Sequence, residues 1–67
     1  MKVIDIMVRT LNTNIDLCLF KDGVVECFYS VPWYVNAAEY DKVISAYGDL
    51  DVEYIRVNQD VLDVIVR

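Results

Sequence analysis

Residues 15–31 read IDLCLFKDGVVECFYSV, and the predicted fold is built around this segment. Two runs rich in β-branched and aromatic residues, 15–21 and 24–31, flank an Asp-Gly pair at positions 22 and 23. An Asp-Gly pair between two such runs is the strongest short-range signal for a β-hairpin. The stretch therefore predicts two antiparallel strands joined by a tight turn.

The length of that turn decides where the two cysteines lie. A two-residue type I′ loop places Lys21 opposite Val24 and Cys18 directly opposite Cys27, whereas a three-residue bulged loop shifts the register and separates the sulfur atoms. In the first register a disulfide is geometrically possible. Because cytoplasmic proteins usually keep thiols reduced, we favour two reduced core thiols in contact across the sheet.

Residues 2–10 alternate in polarity, which predicts a strand whose apolar face is formed by Ile4, Ile6 and Val8. Residues 11–14 (LNTN) have turn chemistry. On the other side of the hairpin, Pro32 is expected to end the strand because proline cannot donate to a ladder.

A helix is predicted after Asn36, a preferred N-cap residue that Glu39 follows at the capping-box spacing. An apolar stripe follows at positions i, i+3, i+4 and i+7: Tyr40, Val43, Ile44 and Tyr47. Gly48 is expected to end the helix in the left-handed conformation.

Residues 52–57 and 61–66 predict two more strands, separated by a turn at 58–60. The predicted order is β-β-β-α-β-β. This is an α+β fold, an antiparallel sheet of about five strands with one helix packed on one face. Its 67 residues (1–67) form a single small domain.

The hairpin is apolar on both faces. One predicted face carries Leu17, Leu19 and Phe28, and the other carries Cys18, Phe20, Val25, Cys27 and Tyr29. Strands that are apolar on both faces are usually covered on both, and one helix of three turns is too short to do this. We therefore expect a homodimer, or a broad apolar face that binds another molecule.

Composition narrows the class of function. The net charge is −5, from eleven acidic and six basic residues, and there is no histidine. This charge disfavours membrane binding and direct nucleic-acid binding, including through a basic strip of Lys2, Arg9, Arg56 and Arg67. Without histidine or a glycine-rich phosphate loop, we expect no enzyme, no catalytic residues and no cofactor or metal site.

The acidic residues suggest a partner surface. Asp49, Asp51 and Glu53 alternate, so on an extended chain they face one way, about 6.6 Å apart. That spacing is close to two axial phosphate steps of about 3.4 Å in one DNA strand. The predicted partner-binding residues are these three, Glu39 and Asp41 on the helix, and three aromatic anchors, Trp33, Tyr34 and Tyr54. The alternatives are that the acids only solubilise the protein and that Trp33 closes the core.

In size, acidity, aromatic content and lack of active-site chemistry, the chain resembles the small inhibitors that phages and prophages encode against host defence enzymes. These include anti-CRISPR proteins and DNA-mimicking inhibitors of uracil-DNA glycosylase. The resemblance is one of composition and aligns no motif. It implies a non-enzymatic inhibitor that binds a basic nucleic-acid-acting enzyme in the host cytoplasm.

The alternative hypothesis is a small assembly protein that homo-oligomerises through its apolar sheet face. Either protein is expected in the cytoplasm, because an acid at position 5 interrupts the N-terminus before an apolar run develops and no stretch approaches the ~20 apolar residues of a membrane span.

Overall fold

The computed structural model describes residues 1–10 and 12–67 and has an α+β architecture. In chain order the elements are α1 (Val3–Met7), β1 (Asn14–Lys21), β2 (Val24–Val31), α2 (Ala37–Tyr47), β3 (Val52–Asn58) and β4 (Val61–Val66). The strand order in the sheet is β2-β1-β4-β3. The fold class is confirmed, but in the described residues the sheet is mixed with four strands, not antiparallel with about five, and two helices accompany it.

The predicted N-terminal strand is wrong, because Val3–Met7 form a helix. The chain buries Val3, Ile6 and Met7, which have helical i, i+3, i+4 spacing, and leaves Ile4 exposed. The α2–β3 connection accepts the first helical donors: the Val3 N–H bonds to the Leu50 carbonyl and the Ile4 N–H to the Gly48 carbonyl, each at 3.0 Å. The predicted 11–14 turn begins at a residue outside the described part of the chain.

The hairpin is confirmed, with the two-residue loop. Asp22 and Gly23 have φ of 54° and 77°, as a type I′ turn requires, and Lys21 pairs with Val24. Cys18 lies opposite Cys27, and the register shifts at a bulge between Leu17 and Cys18. The bulge corrects one predicted orientation: Tyr29 lies opposite Leu17 and packs on the helix side of the sheet, with its ring 5.4 Å from that of Tyr47.

Helix α2 follows its sequence signals at the start but not at the end. Asn36 Oδ1 accepts from the Glu39 N–H at 2.9 Å, and the apolar stripe packs on the core. Gly48 is not left-handed: its φ is −59°, and a Cβ there would lie 2.5 Å from the Ile44 carbonyl oxygen. Glycine is therefore favoured at position 48 because the Ile44 carbonyl leaves no room for a Cβ atom.

The central pair of strands, β1 and β4, is parallel. Each belongs to an antiparallel hairpin of its own, and α2 carries the chain from one hairpin to the other. Residues 63–66 of β4 are all buried, as expected for a central strand.

Both helices contribute to a single apolar core on one side of the sheet. The core consists of Val3, Ile6, Met7, Ile15, Leu17, Val31, Val43, Val64 and Val66. Strand alternation directs the intervening side chains to the opposite side, which no described helix covers.

Candidate interaction surface

The side of the sheet that faces away from both helices is here called the open face. Register and alternation assign to it Asp16, Cys18, Phe20, Val25, Cys27, Ser30, Tyr54, Arg56, Asp63 and Ile65. The pairs across it include Cys18 with Cys27, Cys18 with Ile65, and Tyr54 with Ile65.

Large apolar side chains of the open face are in contact with solvent. Phe20 is 55% exposed and Tyr54 is 41% exposed. Both line a cavity of about 340 Å³, together with Glu53, Val66 and Arg67. In a domain of this size such residues are typical of a contact surface.

At its centre lies a thiol cluster, defined as Cys18, Cys27 and Asp63. The two sulfur atoms and a carboxylate oxygen lie within 4.8 Å of one another. Both cysteines are free; Cys18 is buried, whereas Cys27 is exposed, so the expectation of two core thiols is only half correct. Burial, and next to it the neighbouring Cys27 thiol, raise the pKa of Cys18 to about 12. Cys18 is therefore a neutral thiol near pH 7 and a poor nucleophile.

Two polar contacts hold the acids of the open face. Arg56 Nε donates to Asp63 Oδ2 at 2.9 Å, and the Asp63 side chain is only 2% exposed. Ser30 Oγ donates to Asp16 Oδ1 at 2.7 Å. The hydrogen bond to Asp63 is the main cause of a raised pKa at Arg56. The buried carboxylate therefore has its counter-charge on the neighbouring strand.

Asp63 was expected only as an extension of the exposed acidic surface, and its burial was missed although a signal was present. It is the only charged residue in the apolar run VLDVIV. The β3–β4 pairing brings it opposite Arg56 on the preceding strand. An isolated acid in an apolar strand, with a base at the matching position across a short turn, indicates a buried pair.

Ion pairs neutralise most of the predicted acidic surface. Asp51 contacts Lys2 at 2.8 Å, Glu53 contacts Arg67 at 2.6 Å, and Glu39 contacts Lys42 at 3.5 Å. The first contact raises the pKa of Lys2 and lowers that of Asp51. Two predicted acids, Asp41 and Asp49, are exposed and have no ion pair within the described part of the chain. Three members of the basic strip, Lys2, Arg56 and Arg67, are held in these contacts.

The predicted aromatic anchors lie in two places. Trp33 and Tyr34 form an edge-on pair 5.5 Å apart in the β2–α2 connection, 56% and 70% exposed. The backbone N–H of Trp33 donates to Asn14 Oδ1 at 2.9 Å. Trp33 also borders a cavity of about 330 Å³, beside Met7 and Ile15. Tyr54 lies on β3, on the open face. The structure therefore does not bring the three together.

No helix among residues 1–10 and 12–67 is long and apolar enough to cross a membrane. No family model, curated protein or solved structure matches the chain.

Proposed function

We propose that the protein is a non-enzymatic interaction module that assembles with a second copy of itself through the open face. The observation that carries this proposal is the one-sided arrangement of the fold. Both helices pack on the same side of the sheet, while the opposite side exposes Phe20 and Tyr54 around buried apolar residues.

The charge of the open face favours a second copy as its occupant. Its charged residues are Asp16, Asp63 and Arg56, so the net charge of the open face is −1, compared with −5 for the whole chain. Two copies that meet through this face bring their less charged sides together and keep most carboxylates in solvent. Like-charge repulsion therefore opposes this contact least.

A symmetric contact also uses each aromatic side chain twice. In a twofold dimer the same patch lies on both subunits, so a substitution at Phe20 removes two anchors. Truncation of an interface aromatic costs about 2 kcal/mol or more per site. Loss of both is expected to weaken dimerisation by about 4 kcal/mol, roughly a thousandfold.

The experiment compares Phe20→Ser with Val24→Ser by thermal unfolding over a hundredfold range of protein concentration. Both residues are 55% exposed and lie in the same hairpin, but Val24 pairs with Lys21 on the side of the helices. The melting temperature of wild type and Val24→Ser is expected to rise with concentration, because dimerisation stabilises only the folded chain. That of Phe20→Ser is expected to be independent of concentration. A wild type without concentration dependence contradicts the proposal.

A second candidate function is the inhibition of a basic nucleic-acid-acting protein. It is supported by the two exposed acids without ion pairs, Asp41 and Asp49, and by the solvent-exposed aromatic pair of Trp33 and Tyr34. The aromatic pair provides anchors, and the acids provide electrostatic attraction.

Affinity capture at low and high salt tests this candidate, with Asp41→Asn/Asp49→Asn and Trp33→Ala/Tyr34→Ala as variants. Retention of a nucleic-acid-acting protein that decreases with salt and in both variants supports it. Retention that is indifferent to salt contradicts the electrostatic mechanism.

A further inference from the structure

We propose that Cys18, Cys27 and Asp63 form a binding site for one thiophilic divalent cation, of which Zn²⁺ is the representative. All three ligands belong to one chain, so the site does not require a second copy. Three donor atoms from three strands converge within 4.8 Å at the centre of the open face. Two sulfur atoms and one oxygen are a donor set that selects Zn²⁺ over Ca²⁺ or Mg²⁺.

The distances are compatible with coordination. In a tetrahedral site with Zn–S bonds of about 2.3 Å, the two sulfur atoms lie about 3.8 Å apart. The separation of the two sulfur atoms therefore needs to contract by about 1 Å at most. Cys27 is exposed on the edge strand β2, whereas Cys18 and Asp63 are buried on the central strands. The fourth position faces out of the sheet, where a water molecule completes the coordination.

Surrounding contacts orient the ligands. Arg56 Nε donates to Asp63 Oδ2, which restrains the orientation of the carboxylate. The Cys18 thiol donates to the Asp16 carbonyl at 3.7 Å, which restricts its rotamer. Outer contacts of this kind support metal ligands in proteins.

The charge balance favours a divalent ion. With both thiols deprotonated, the two thiolates, the Asp63 carboxylate and the Arg56 guanidinium sum to −2, which one divalent cation neutralises. The two thiol protons leave to solvent when the cation binds.

The test is a Co²⁺ titration of the reduced, metal-free chain without oxygen, followed by displacement with Zn²⁺. It is repeated in the Phe20→Ser background, so that a second copy on the open face does not obstruct Cys27. One Co²⁺ per chain with a thiolate-to-cobalt charge-transfer band is expected. Cys27→Ser should reduce the band to that of one thiolate or less, and Asp63→Asn should weaken affinity by about tenfold or more. Asp49→Asn, which removes an exposed carboxylate outside the open face, is the charge-matched control and should change neither.

Absence of the band in both backgrounds, an undiminished band in Cys27→Ser, or equal weakening by Asp49→Asn and Asp63→Asn would overturn the assignment. A second measurement needs no ligand variant. One equivalent of Zn²⁺ should slow iodoacetamide modification of Cys27 by about tenfold or more in the Phe20→Ser chain, because a coordinated thiolate is protected. An unchanged rate also overturns it.

Discussion

Arg56 and Asp63 form an ion pair across the β3–β4 hairpin, with Nε 2.9 Å from Oδ2, and the two partners differ in exposure. The Arg56 side chain is 48% exposed, whereas that of Asp63 is 2% exposed. If the ion pair is broken, water can therefore still solvate the Arg56 guanidinium, but it cannot solvate the buried Asp63 carboxylate. The contact matters chiefly because it compensates a buried negative charge.

This asymmetry predicts a non-additive double substitution. Arg56→Met leaves the buried carboxylate without its counter-charge and should lower the urea midpoint clearly. Adding Asp63→Asn removes that charge and should recover most of the loss. Equilibrium urea unfolding of the single and double variants checks this. Additive losses in the double variant would show that Asp63 does not depend on Arg56.

The two glycines are expected to respond differently to asparagine. Gly23 has a φ of 77° with open space around it, so Gly23→Asn should cost less than about 1 kcal/mol, because asparagine tolerates the left-handed region. At Gly48 a Cβ would lie 2.5 Å from a backbone oxygen, so Gly48→Asn should cost about 2 kcal/mol or more. The free energy of unfolding of each variant measures this. Equal costs would contradict the crowding at Gly48.

The N-cap of α2 is expected to contribute measurably. Asn36→Ala removes the acceptor of the Glu39 N–H and should lower the free energy of unfolding by about 1 kcal/mol. Asn36→Ser is the conservative control, since serine also caps, and it should retain most of the stability. Chemical unfolding of the pair measures the difference. An unaffected Asn36→Ala variant would mean that the cap is dispensable.

The cysteines are expected to differ in reactivity in the metal-free Phe20→Ser chain. Iodoacetamide should modify Cys27 and spare Cys18 at pH 8, because burial raises the pKa of Cys18 to about 12. Peptide mass spectrometry identifies the modified residue. Equal labelling of both cysteines in the folded chain would contradict their different burial.

The raised pKa of Cys18 also predicts how stability depends on pH. Cys18 keeps its thiol proton to a higher pH in the folded chain than in the unfolded chain. Between pH 9, the ordinary pKa of a cysteine, and about pH 12, the free energy of unfolding should therefore fall as pH rises.

Sequence reasoning succeeded where local chemistry decides the structure. The Asp22-Gly23 turn determines its own register, and through it the Cys18–Cys27 pair. The helix after Asn36 follows equally from its cap and stripe.

Other features depend on contacts between distant segments. The N-terminal helix is stabilised by backbone bonds to residues 48 and 50, which no local pattern reveals. The parallel pairing of β1 with β4 results from how two independent hairpins meet. Asp63 joins the thiol cluster only through that pairing, so the cluster was not predictable from spacing.

The proposed assembly covers the open face with a second copy of the chain. Sedimentation equilibrium at micromolar concentration gives the sharpest test of this contact, because it measures the mass of the unlabelled wild-type protein. A mass of twice the 7.8 kDa chain, which returns to that of one chain in Phe20→Ser but not in Val24→Ser, is the predicted result. A wild-type mass of one chain across the micromolar range would contradict it.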